Sequence, residues 1–491
     1  MALGCKLATV RLFQALAGRF RSDIQRHTIP ALLLAFISGT FSHSQILRCR
    51  LIGTAFSCRY PMTSSSSESV SVSDQPLVVP RSEHIISRKQ IDENTLKVLY
   101  RLRRHGYQAY LVGGGVRDLL LGREPKDFDV ATDATPEQVK ELFRNCFLVG
   151  RRFRLAHIRF AGNYVVEVAT FRRQPCPEEL PAEADEHFFF TENVFGSPRE
   201  DAFRRDFTIN GLFYNVDDFS IIDYVGGLRD LADRRLRVIG DPLVRFTEDP
   251  VRMLRALEFT ARLGFSLDEE VRQAIYLRAP LIAEAASARI REELMELFRH
   301  RVAAPVLRDA QSLGLLPHLL AGFEGEAETF DLLEQIDRRT AAGHPIEEYL
   351  ALAALFLARY RHACETQQVE TIGDAIRIAN QLLVPYCGYF RIANAIRHQA
   401  RELLIGFFRL IRGRGRRGEV RFLRHPFASA SVEFFGLWSE AIGQQQDLAA
   451  DWRQAVAAAG EPQVKKEGQK PPPRRRPRRR KSRKPPVDKK S

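Results

Sequence analysis

The stretch that decides the fold is Leu111-Val112-Gly113-Gly114-Gly115-Val116-Arg117-Asp118, which Asp127-Phe128-Asp129 follows. Residues 110–112 are apolar and predict a buried strand, the glycines permit a tight turn, and residues 116–121 predict a short helix. A helix start binds anions through its free N–H groups, and Arg117 adds a guanidinium suited to phosphate. The stretch therefore predicts a phosphate site. It is not a P-loop, because no Gly-Lys-Ser/Thr follows, and the third glycine of a dinucleotide fingerprint is missing.

The two aspartates after this turn, Asp127 and Asp129, predict a metal site. Residues 128–131 are apolar and short enough to form a strand, and residues i and i+2 of a strand share a face. Two carboxylates this close repel each other unless a cation neutralises them. Mg²⁺ suits such a site because it accepts few carboxylates and keeps room for phosphate oxygens, and Mn²⁺ is an alternative. A bare acidic surface turn is the other interpretation, which the neighbouring motifs disfavour.

A third carboxylate, Glu167, lies within the predicted strand 164–170. A charge in the middle of a strand is costly unless it is paired, bound to metal or exposed on an edge strand, and the sequence leaves the edge-strand alternative open. Three carboxylates on neighbouring strands beside an anion site indicate two-metal phosphoryl transfer. One ion lowers the pKa of an attacking hydroxyl, and the other stabilises charge on a triphosphate and its pyrophosphate leaving group.

Several motifs together resemble the nucleotidyltransferases of the DNA polymerase beta superfamily. More narrowly, they resemble the bacterial poly(A) polymerases and their relatives, the CCA-adding enzymes. The likeness is dense over residues 91–299 and looser to about residue 445. It implies an α+β fold with a polymerase-beta-like mixed-sheet head, followed by an all-α neck and body. The motifs are the two quoted above, Glu-Val-Ala-Thr-Phe-Arg (167–172), Arg-Arg-Asp-Phe-Thr-Ile-Asn (204–210), Tyr-Val-Gly-Gly (224–227) and Glu-Asp-Pro-Val-Arg (248–252).

The resemblance also implies residue roles. Asp127 and Asp129 would hold two catalytic metal ions, with Glu167 helping the RNA 3′-hydroxyl. The triphosphate of ATP would bind to Gly113, Gly114, Arg117 and Arg205. The sugar would contact Asp206 and Asn210, and the base would contact Glu248, Asp249 and Arg252. For residues 248–252, a helix capped by Asp249 that carries an ordinary ion pair is an alternative. Glu258 stands where relatives often carry a basic residue.

The basic run at residues 148–157 distinguishes the two subfamilies. It contains Arg151 and Arg152, predicted to bind RNA, and it resembles poly(A) polymerases more than CCA-adding enzymes. The favoured function is template-independent addition of AMP from ATP to RNA 3′ ends, which the family's biology links to RNA decay. A CCA-adding tRNA nucleotidyltransferase is one alternative, and a catalytically inactive RNA-binding protein is another. Expected partners are RNA 3′ ends and ATP, with RNA-decay machinery or an Sm-like RNA chaperone as further candidates.

The net charge of +14 is concentrated at the two ends of the chain. Residues 463–491 carry +12 and residues 1–62 carry +7, which leaves −5 for the remainder. The tail has almost nothing to bury, so we expect it to be disordered and to bind RNA through counterion release. A solvated tail without a role is the alternative. The tail arginines predicted to bind RNA are Arg474, Arg475, Arg476, Arg478, Arg479 and Arg480.

Cysteine usage and the N-terminus bear on location. The seven cysteines include no Cys-x-x-Cys pair, which argues against a zinc site or a disulfide framework and fits a reducing cytoplasm. The resemblance implies that this cytoplasm is bacterial. The apolar run at residues 31–37 is too short to cross a bilayer. The first 61 residues resemble an organelle transit peptide, but a wrongly chosen upstream start, with Met62 the true one, is favoured. We expect a monomer without a transmembrane segment.

Periodicity and punctuation divide the chain. They predict helices at 87–105, from Thr135 and at 200–214, strands at 155–160 and 164–170, and a strand pair near 219–224 and 235–239. From residue 249 the periodicity is almost entirely helical. The predicted divisions are an N-terminal extension (1–61), a Ser-rich linker (62–86), the catalytic head (87–240), a helical neck for base and RNA binding (241–300), an RNA-binding helical body (301–460) and the tail (461–491).

Overall fold

A computed structural model of the chain describes residues 75–150, 154–174, 194–320, 323 and 325–459. Within these residues an eight-stranded mixed sheet is followed by a long series of helices, which confirms the predicted fold class. Arg151, Arg152 and the six tail arginines predicted to bind RNA lie outside the described residues, as do the extension and most of the linker.

The sheet has the strand order β1–β10–β9–β2–β3–β6–β5–β4. Neighbouring strands are antiparallel except β3 and β6, which run parallel. The strands are β1 (Leu77–Val79), β2 (Ala109–Val112), β3 (Asp129–Thr132), β4 (Cys146–Val149), β5 (Leu155–Arg159), β6 (Val165–Thr170), β9 (Leu212–Asn215) and β10 (Ile221–Asp223). Two small ribbons pair β7 (Arg172–Arg173) with β8 (Val194–Phe195), and β11 (Arg235–Leu236) with β12 (Ser266–Leu267).

Short helices cover the sheet and connect its strands. They are α1 (Glu93–Arg104), α2 (Gly114–Leu120), α3 (Pro136–Leu142), α4 (Pro198–Phe203) and α5 (Gly227–Ala232). Helix α3 follows the predicted start at Thr135 with a capping box, in which Thr135 and Gln138 accept each other's backbone N–H groups. The helix predicted from residue 87 begins later, at Glu93, because Asp92 accepts the N–H groups of Asn94 and Thr95.

The predicted helix at 200–214 is wrong. Helix α4 ends at Phe203, a 3-10 turn follows at Thr208–Asn210, and Leu212–Asn215 forms strand β9. This strand pairs with both β2 and β10, and its side chains at Leu212, Phe213 and Tyr214 are fully buried. Burial among these partners outweighs any local helical preference.

Other element boundaries also differ from the predictions. Strand β3 begins at Asp129, so Asp127 precedes it instead of sharing a strand face. The predicted strand pair near 219–224 and 235–239 does not form, because β10 pairs with β9 and β11 pairs with β12. Strand β1 at the sheet edge falls within the predicted linker 62–86, so the end of that segment belongs to the head.

Beyond the head the described chain is helical except for β12. The helices are α6 (Pro242–Glu248), α7 (Val251–Leu263), α8 (Glu269–Arg278), α9 (Ser287–Arg299), α10 (Ala303–Ser312), α11 (Leu316–Leu319), α12 (Ala327–Ala341), α13 (Glu348–Thr366), α14 (Ile372–Tyr389), α15 (Asn394–Leu410), α16 (Glu419–Leu423), α17 (Ala428–Ile442) and α18 (Gln446–Ala459). Their core includes Phe407 packed edge-to-face on Trp438. Among the described helices, none has the length and apolar character needed to span a bilayer.

Candidate active site

A cavity of about 620 Å³ opens where strands β2 and β3 of the head meet helices α7 and α9. Its volume is in the range of small-molecule sites. Ten residues predicted for catalysis or ATP binding line it, namely Gly113, Gly114, Arg117, Asp127, Asp129, Arg205, Asp206, Asn210, Asp249 and Arg252. The fold therefore brings together motifs that are up to 139 residues apart in the chain.

Asp129 lies at the centre of the carboxylate group. It opens β3, pairing in register with Val112 on one side and with Glu167 on the other. Burial, followed by repulsion from Asp127 and Glu167, raises the pKa of Asp129 to about 6, and Arg205 opposes the shift. Three acids therefore act on one another here, as a cation-binding centre requires.

Glu167 lies at the edge of this centre. Its side chain is 48% exposed and faces His157 across the β5–β6 pair, with 3.4 Å between Nε2 and Oε1. Val166 and Val168 on either side are buried, so Glu167 projects from the opposite face of an interior strand. The edge-strand interpretation is therefore wrong, although the side chain is exposed as that interpretation required.

The glycine turn brings backbone close to this centre. Gly113 has φ 71° and ψ −137°, a conformation that a side chain would strain. A Cβ atom there would lie 3.2 Å from Nη1 of Arg205 and 3.8 Å from Oδ2 of Asp129. Glycine is thus needed at position 113 both for the turn and for the space beside the Asp129 carboxylate.

Arg117 is held more tightly than the sequence indicates. Its guanidinium donates two hydrogen bonds to Asp118 at 2.8 and 2.9 Å, and a third to Oδ1 of Asn210 at 2.7 Å. The side chain is buried, and its Cζ lies 5.1 Å from the ring centroid of Phe259. Arg117 therefore contributes positive charge to the cavity wall from a fixed position.

Asp201, which the sequence reasoning missed, anchors the two arginines that follow α4. Its carboxylate accepts hydrogen bonds from Arg204 at 2.8 Å and from Arg205 at 2.9 Å, and its side chain is 1% exposed. Burial opposes ionisation, but Arg205 and Arg204 outweigh it and hold the pKa of Asp201 below its ordinary value. The spacing of three and four residues along a helix end was the available signal.

Asp206 joins the head to the neck. Arg255 of α7 donates to Oδ2 of Asp206 at 2.8 and 3.1 Å and also bonds Glu293 of α9 at 3.3 Å. Asn210 donates to the other oxygen of Asp206 at 3.2 Å. The predicted sugar-binding pair thus belongs to a network that spans three elements.

The predicted base-binding residues form a second network at the α6–α7 junction. Glu248 accepts hydrogen bonds from Arg245 at 2.8 Å and Arg252 at 3.0 Å. Asp249 is paired in bidentate fashion with Arg289 of α9, at 2.8 and 2.9 Å. Asp249 also accepts the N–H of Val251 at 3.3 Å, which agrees with its predicted capping role although α7 begins one residue later.

A cluster at the neck end of the cavity involves Glu258, the departure from the family pattern. Its carboxylate lies 2.7 Å from Nε of Arg262 and 2.8 Å from Nδ1 of His300. The contact with Arg262 is an ion pair, whereas the His300 ring is charged only when protonated, and neither contact has hydrogen-bond geometry. Arg262, at i+4, is the neighbour of Glu258 that could have been predicted from spacing.

The carboxylates fit a divalent cation. Asp127 and Asp129 both line the cavity, and burial, followed by the negative charge of Asp127 and Glu167, raises the pKa of Asp129. Within the described residues, no three His, Cys, Asp or Glu side chains come together as a ready-made metal cage. Two carboxylates completed by substrate phosphates and water are the usual Mg²⁺ environment.

A mixed sheet that presents paired aspartates beside a glycine turn, with a helical neck closing the cavity, defines the nucleotidyltransferase class. Two family models match the chain. The "Poly A polymerase head domain" matches residues 109–237, and the "Probable RNA and SrmB- binding site of polymerase A" matches residues 264–325.

Known proteins give the same result. Poly(A) polymerase I of Escherichia coli is 40% identical over 403 residues, or 78% of this chain and 86% of that protein. The CCA-adding enzyme of Bacillus licheniformis is 37% identical over 48% of this chain and 56% of its own length. A solved tRNA nucleotidyltransferase with a primer tRNA and an incoming ATP analogue is 25% identical at a TM-score of 0.54, covering 74% of this chain and 98% of that one. The chain belongs to the bacterial poly(A) polymerase I family and is a polynucleotide adenylyltransferase.

Proposed function

We propose that this protein is a template-independent poly(A) polymerase that adds AMP from ATP to RNA 3′ ends. The observation that carries the proposal is that Asp127, Asp129 and Arg205 line one cavity in a chain that is 40% identical to a poly(A) polymerase I across head and body. The match to that relative covers 78% of this chain, whereas the match to the Bacillus licheniformis CCA-adding enzyme covers 48%.

In the reaction, the oxygen of the RNA 3′-hydroxyl forms a bond to the α-phosphorus of ATP. The bond from that phosphorus to the bridging oxygen breaks, pyrophosphate leaves, and the hydroxyl proton passes to water. Asp127 and Asp129 would hold two Mg²⁺ ions, which would lower the pKa of the hydroxyl and neutralise charge on the phosphates. Glu167 lies beside this centre, in register with Asp129, and would help to orient the hydroxyl.

The triphosphate would lie along the glycine turn and Arg205. Because Gly113 carries no side chain, phosphate oxygens can approach its backbone and the guanidinium of Arg205 together. Arg205 is held by Asp201, so it is oriented before the substrate arrives. Such preorganisation is the main source of electrostatic catalysis in phosphoryl transfer.

Selection of the base would depend on Asp249 and Arg252, and the sugar would contact Asp206 and Asn210. The base site has a rigid backing, because Arg289 holds Asp249 and Glu248 holds Arg252. Fixed donors and acceptors distinguish one Watson–Crick edge from another better than mobile ones. In this proposal the ion pairs hold the residues that recognise the base. In the capped-helix alternative they would only stabilise the helix.

The CCA-adding alternative shares this chemistry, and solved CCA-adding enzymes have the same fold. Purified protein should be incubated with ATP alone, CTP alone and both, on a generic single-stranded RNA and on a tRNA lacking its 3′ end. We expect long runs of A on either RNA with ATP alone. C incorporation confined to the tRNA would contradict the proposal.

The inactive-protein alternative is tested with Asp129→Asn, which removes the charge at the metal centre while keeping the shape. Loss of transfer in this variant, with RNA binding retained, shows that the activity belongs to the cavity. Activity equal to that of the wild type would point to a contaminating enzyme and favour the inactive alternative.

The same proposal extends to the biological role. The protein would act in RNA decay in a bacterial cytoplasm, with an Sm-like RNA chaperone or the decay machinery as a partner.

A further inference from the structure

A second basic region lies far along the chain from the cavity, around the short helix α16. An open groove of about 890 Å³ runs beside this helix and the segments that flank it. Its walls include Arg416, Arg421, Arg424 and His425, all exposed. Neither matching family model reaches this region, since the second ends at residue 325.

Two arginines of this groove differ from several other arginines of the helical body. Arg338 and Arg308 both bond Glu334, and Arg453 bonds Glu440 at 2.8 Å. For Arg421 and Arg424, by contrast, the described part of the chain supplies neither a hydrogen-bond partner nor an ion-pair partner. These two side chains present uncompensated positive charge to solvent.

The acids near the groove are already engaged. Glu419, the acid in its wall, lies 2.7 Å from Nη2 of Arg414 and also bonds the N–H of Gly415. Glu402 faces Arg401 at 3.1 Å and lies 4.0 Å from His425. The groove therefore has a net positive field, which attracts anions.

Helix α16 is packed against its neighbours, so the backbone positions of Arg421 and Arg424 are defined. Phe422 is buried and meets the Trp452 ring edge-to-face at 6.1 Å. Arg409 also lies over the Phe422 ring, with its Cζ 5.8 Å from the centroid. Arg421 and Arg424, three residues apart along α16 and its cap, share one face.

We propose that the α16 groove binds the sugar-phosphate backbone of single-stranded RNA outside the active site. Two guanidiniums on one helix face can each bond a phosphate, and the exposed His425 ring offers a surface on which a base can stack. RNA is the favoured polyanion because this enzyme family acts on it, and the proposal rests to that extent on the proposed function. A lipid surface fits less well, because α16 exposes just one large apolar side chain, that of Val420.

The test is RNA binding by the full-length chain without ATP or divalent ions. The variant is R421Q/R424Q, and the matched control is R104Q/R144Q, which removes two exposed arginines from the head. Affinity for a long single-stranded RNA is measured between about 50 and 200 mM salt. We expect R421Q/R424Q to bind roughly tenfold more weakly at low salt. The slope of log affinity against log salt should fall by about 1.4, because each of the two lost phosphate contacts contributes about 0.7. The control should match the wild type.

Two further measurements make the result decisive. R421K/R424K keeps the positive charge and should retain most of the slope of log affinity against log salt. A variant whose groove had simply misfolded would lose that slope. Vesicles of phosphatidylglycerol in phosphatidylcholine test the lipid alternative. An unchanged slope in R421Q/R424Q, or loss of vesicle binding with RNA binding intact, would overturn the proposal. Because no nucleotide is present, these results do not depend on whether the cavity adds A or CCA.

Discussion

The arginines of the active-site cavity and those of the α16 groove occupy opposite electrostatic settings. In the cavity, Arg205 is held by the buried Asp201, and Arg289 is held by Asp249. In the groove, Arg421 and Arg424 face solvent without a described acid partner. The cavity therefore uses its acids to fix cations in place for a small, defined ligand, whereas the groove keeps its charge available for a long polyanion of any sequence. Four predictions test this distinction, in decreasing order of expected effect.

The largest effect is expected at the centre of the cavity. Asp129→Asn should lower the rate of AMP transfer by about a thousandfold, roughly 4 kcal/mol in activation free energy, because a metal-holding charge is lost. The measurement is single-turnover extension of a labelled RNA at saturating ATP. Affinity for long RNA should stay within about twofold, since the groove and the tail carry that interaction in our proposal.

The matched control is Asp133→Asn, an exposed aspartate just beyond β3. It changes the same charge at the other end of the strand and should leave the rate unchanged. If Asp129→Asn instead weakened long-RNA binding as strongly as transfer, the division of labour between cavity and groove would be wrong.

The next prediction concerns the anchor that fixes the cavity arginines. Asp201→Asn should lower the free energy of unfolding by about 3 kcal/mol, because two arginines lose a buried partner. The pKa of Asp201 lies below its ordinary value. Its contribution is therefore present above the unfolded pKa of 3.8 and is lost only as the pH falls through the folded value, so the difference should be constant between about pH 6 and 8.

Urea unfolding at several pH values measures this difference. Asp233→Asn is the control, because Asp233 forms an exposed pair with Arg229 at 3.7 Å, and it should change the stability by less than about 0.5 kcal/mol. A difference between wild type and Asp201→Asn that grew or vanished across the neutral range would mean that the pair does not control the titration of Asp201.

How much of this could be predicted from the sequence depends on how local the signal is. The glycine turn, Asp127 and Asp129 were identified because dense short motifs carry them. Asp201 and Arg289 were missed, because their roles come from contacts made across elements in the folded chain. A single sequence shows which arginines exist, but it does not show which acids the fold places against them.

The element errors have the same origin. Residues 204–214 carry a motif and a helix-compatible pattern, yet Leu212–Asn215 becomes an interior strand because it pairs on both sides. Likewise β1 and β4, at the two edges of the sheet, were not predicted. Strand β1 depends on the distant partner β10, whereas β4 pairs with the nearby, predicted β5 and ends in the basic run at residues 148–157. Pairing across the sheet decides these segments, and local propensity does not.

A third prediction concerns a buried acid that belongs to neither the cavity nor the groove. Its effect on stability therefore serves as a reference for both regions. Asp337 of α12 accepts the N–H groups of Ala303 and Ala304 at the start of α10, at 3.2 and 2.9 Å. Burial, despite these hydrogen bonds, raises its pKa to about 6, with Glu334 adding to the shift and Arg308 opposing it. The folded state thus binds more protons than the unfolded state between pH 3.8 and 6.

The contribution of Asp337 to stability is therefore full below the unfolded pKa and is lost as the pH rises through the folded value, by roughly 3 kcal/mol in total. Unfolding free energies of the wild type relative to Asp337→Ala should therefore fall from about pH 4 to 7, whereas Asp331→Asn, at an exposed position, should follow the wild type. A parallel pH profile for wild type and Asp337→Ala would show that Asp337 titrates normally.

The smallest effect is expected for Arg289, a neck arginine that acts on the proposed base site through Asp249. Arg289→Gln removes the bidentate partner of Asp249 without touching the metal centre. Arg289 is 54% exposed, so its pair is worth about 1 kcal/mol at most. Selectivity for ATP over CTP, measured as the ratio of kcat/KM values, should fall about fivefold, with kcat for ATP little changed.

Arg291→Gln is the matched control, since Arg291 lies on the same helix and forms an equally close pair, but with Glu348 of the body. Its selectivity should equal that of the wild type. If Arg289 acts only by holding Asp249, then adding Arg289→Gln to Asp249→Asn should cause no further loss of selectivity. Additive losses would mean that Arg289 contacts the nucleotide itself, and the cavity would then use an uncompensated arginine in the way we propose for the groove.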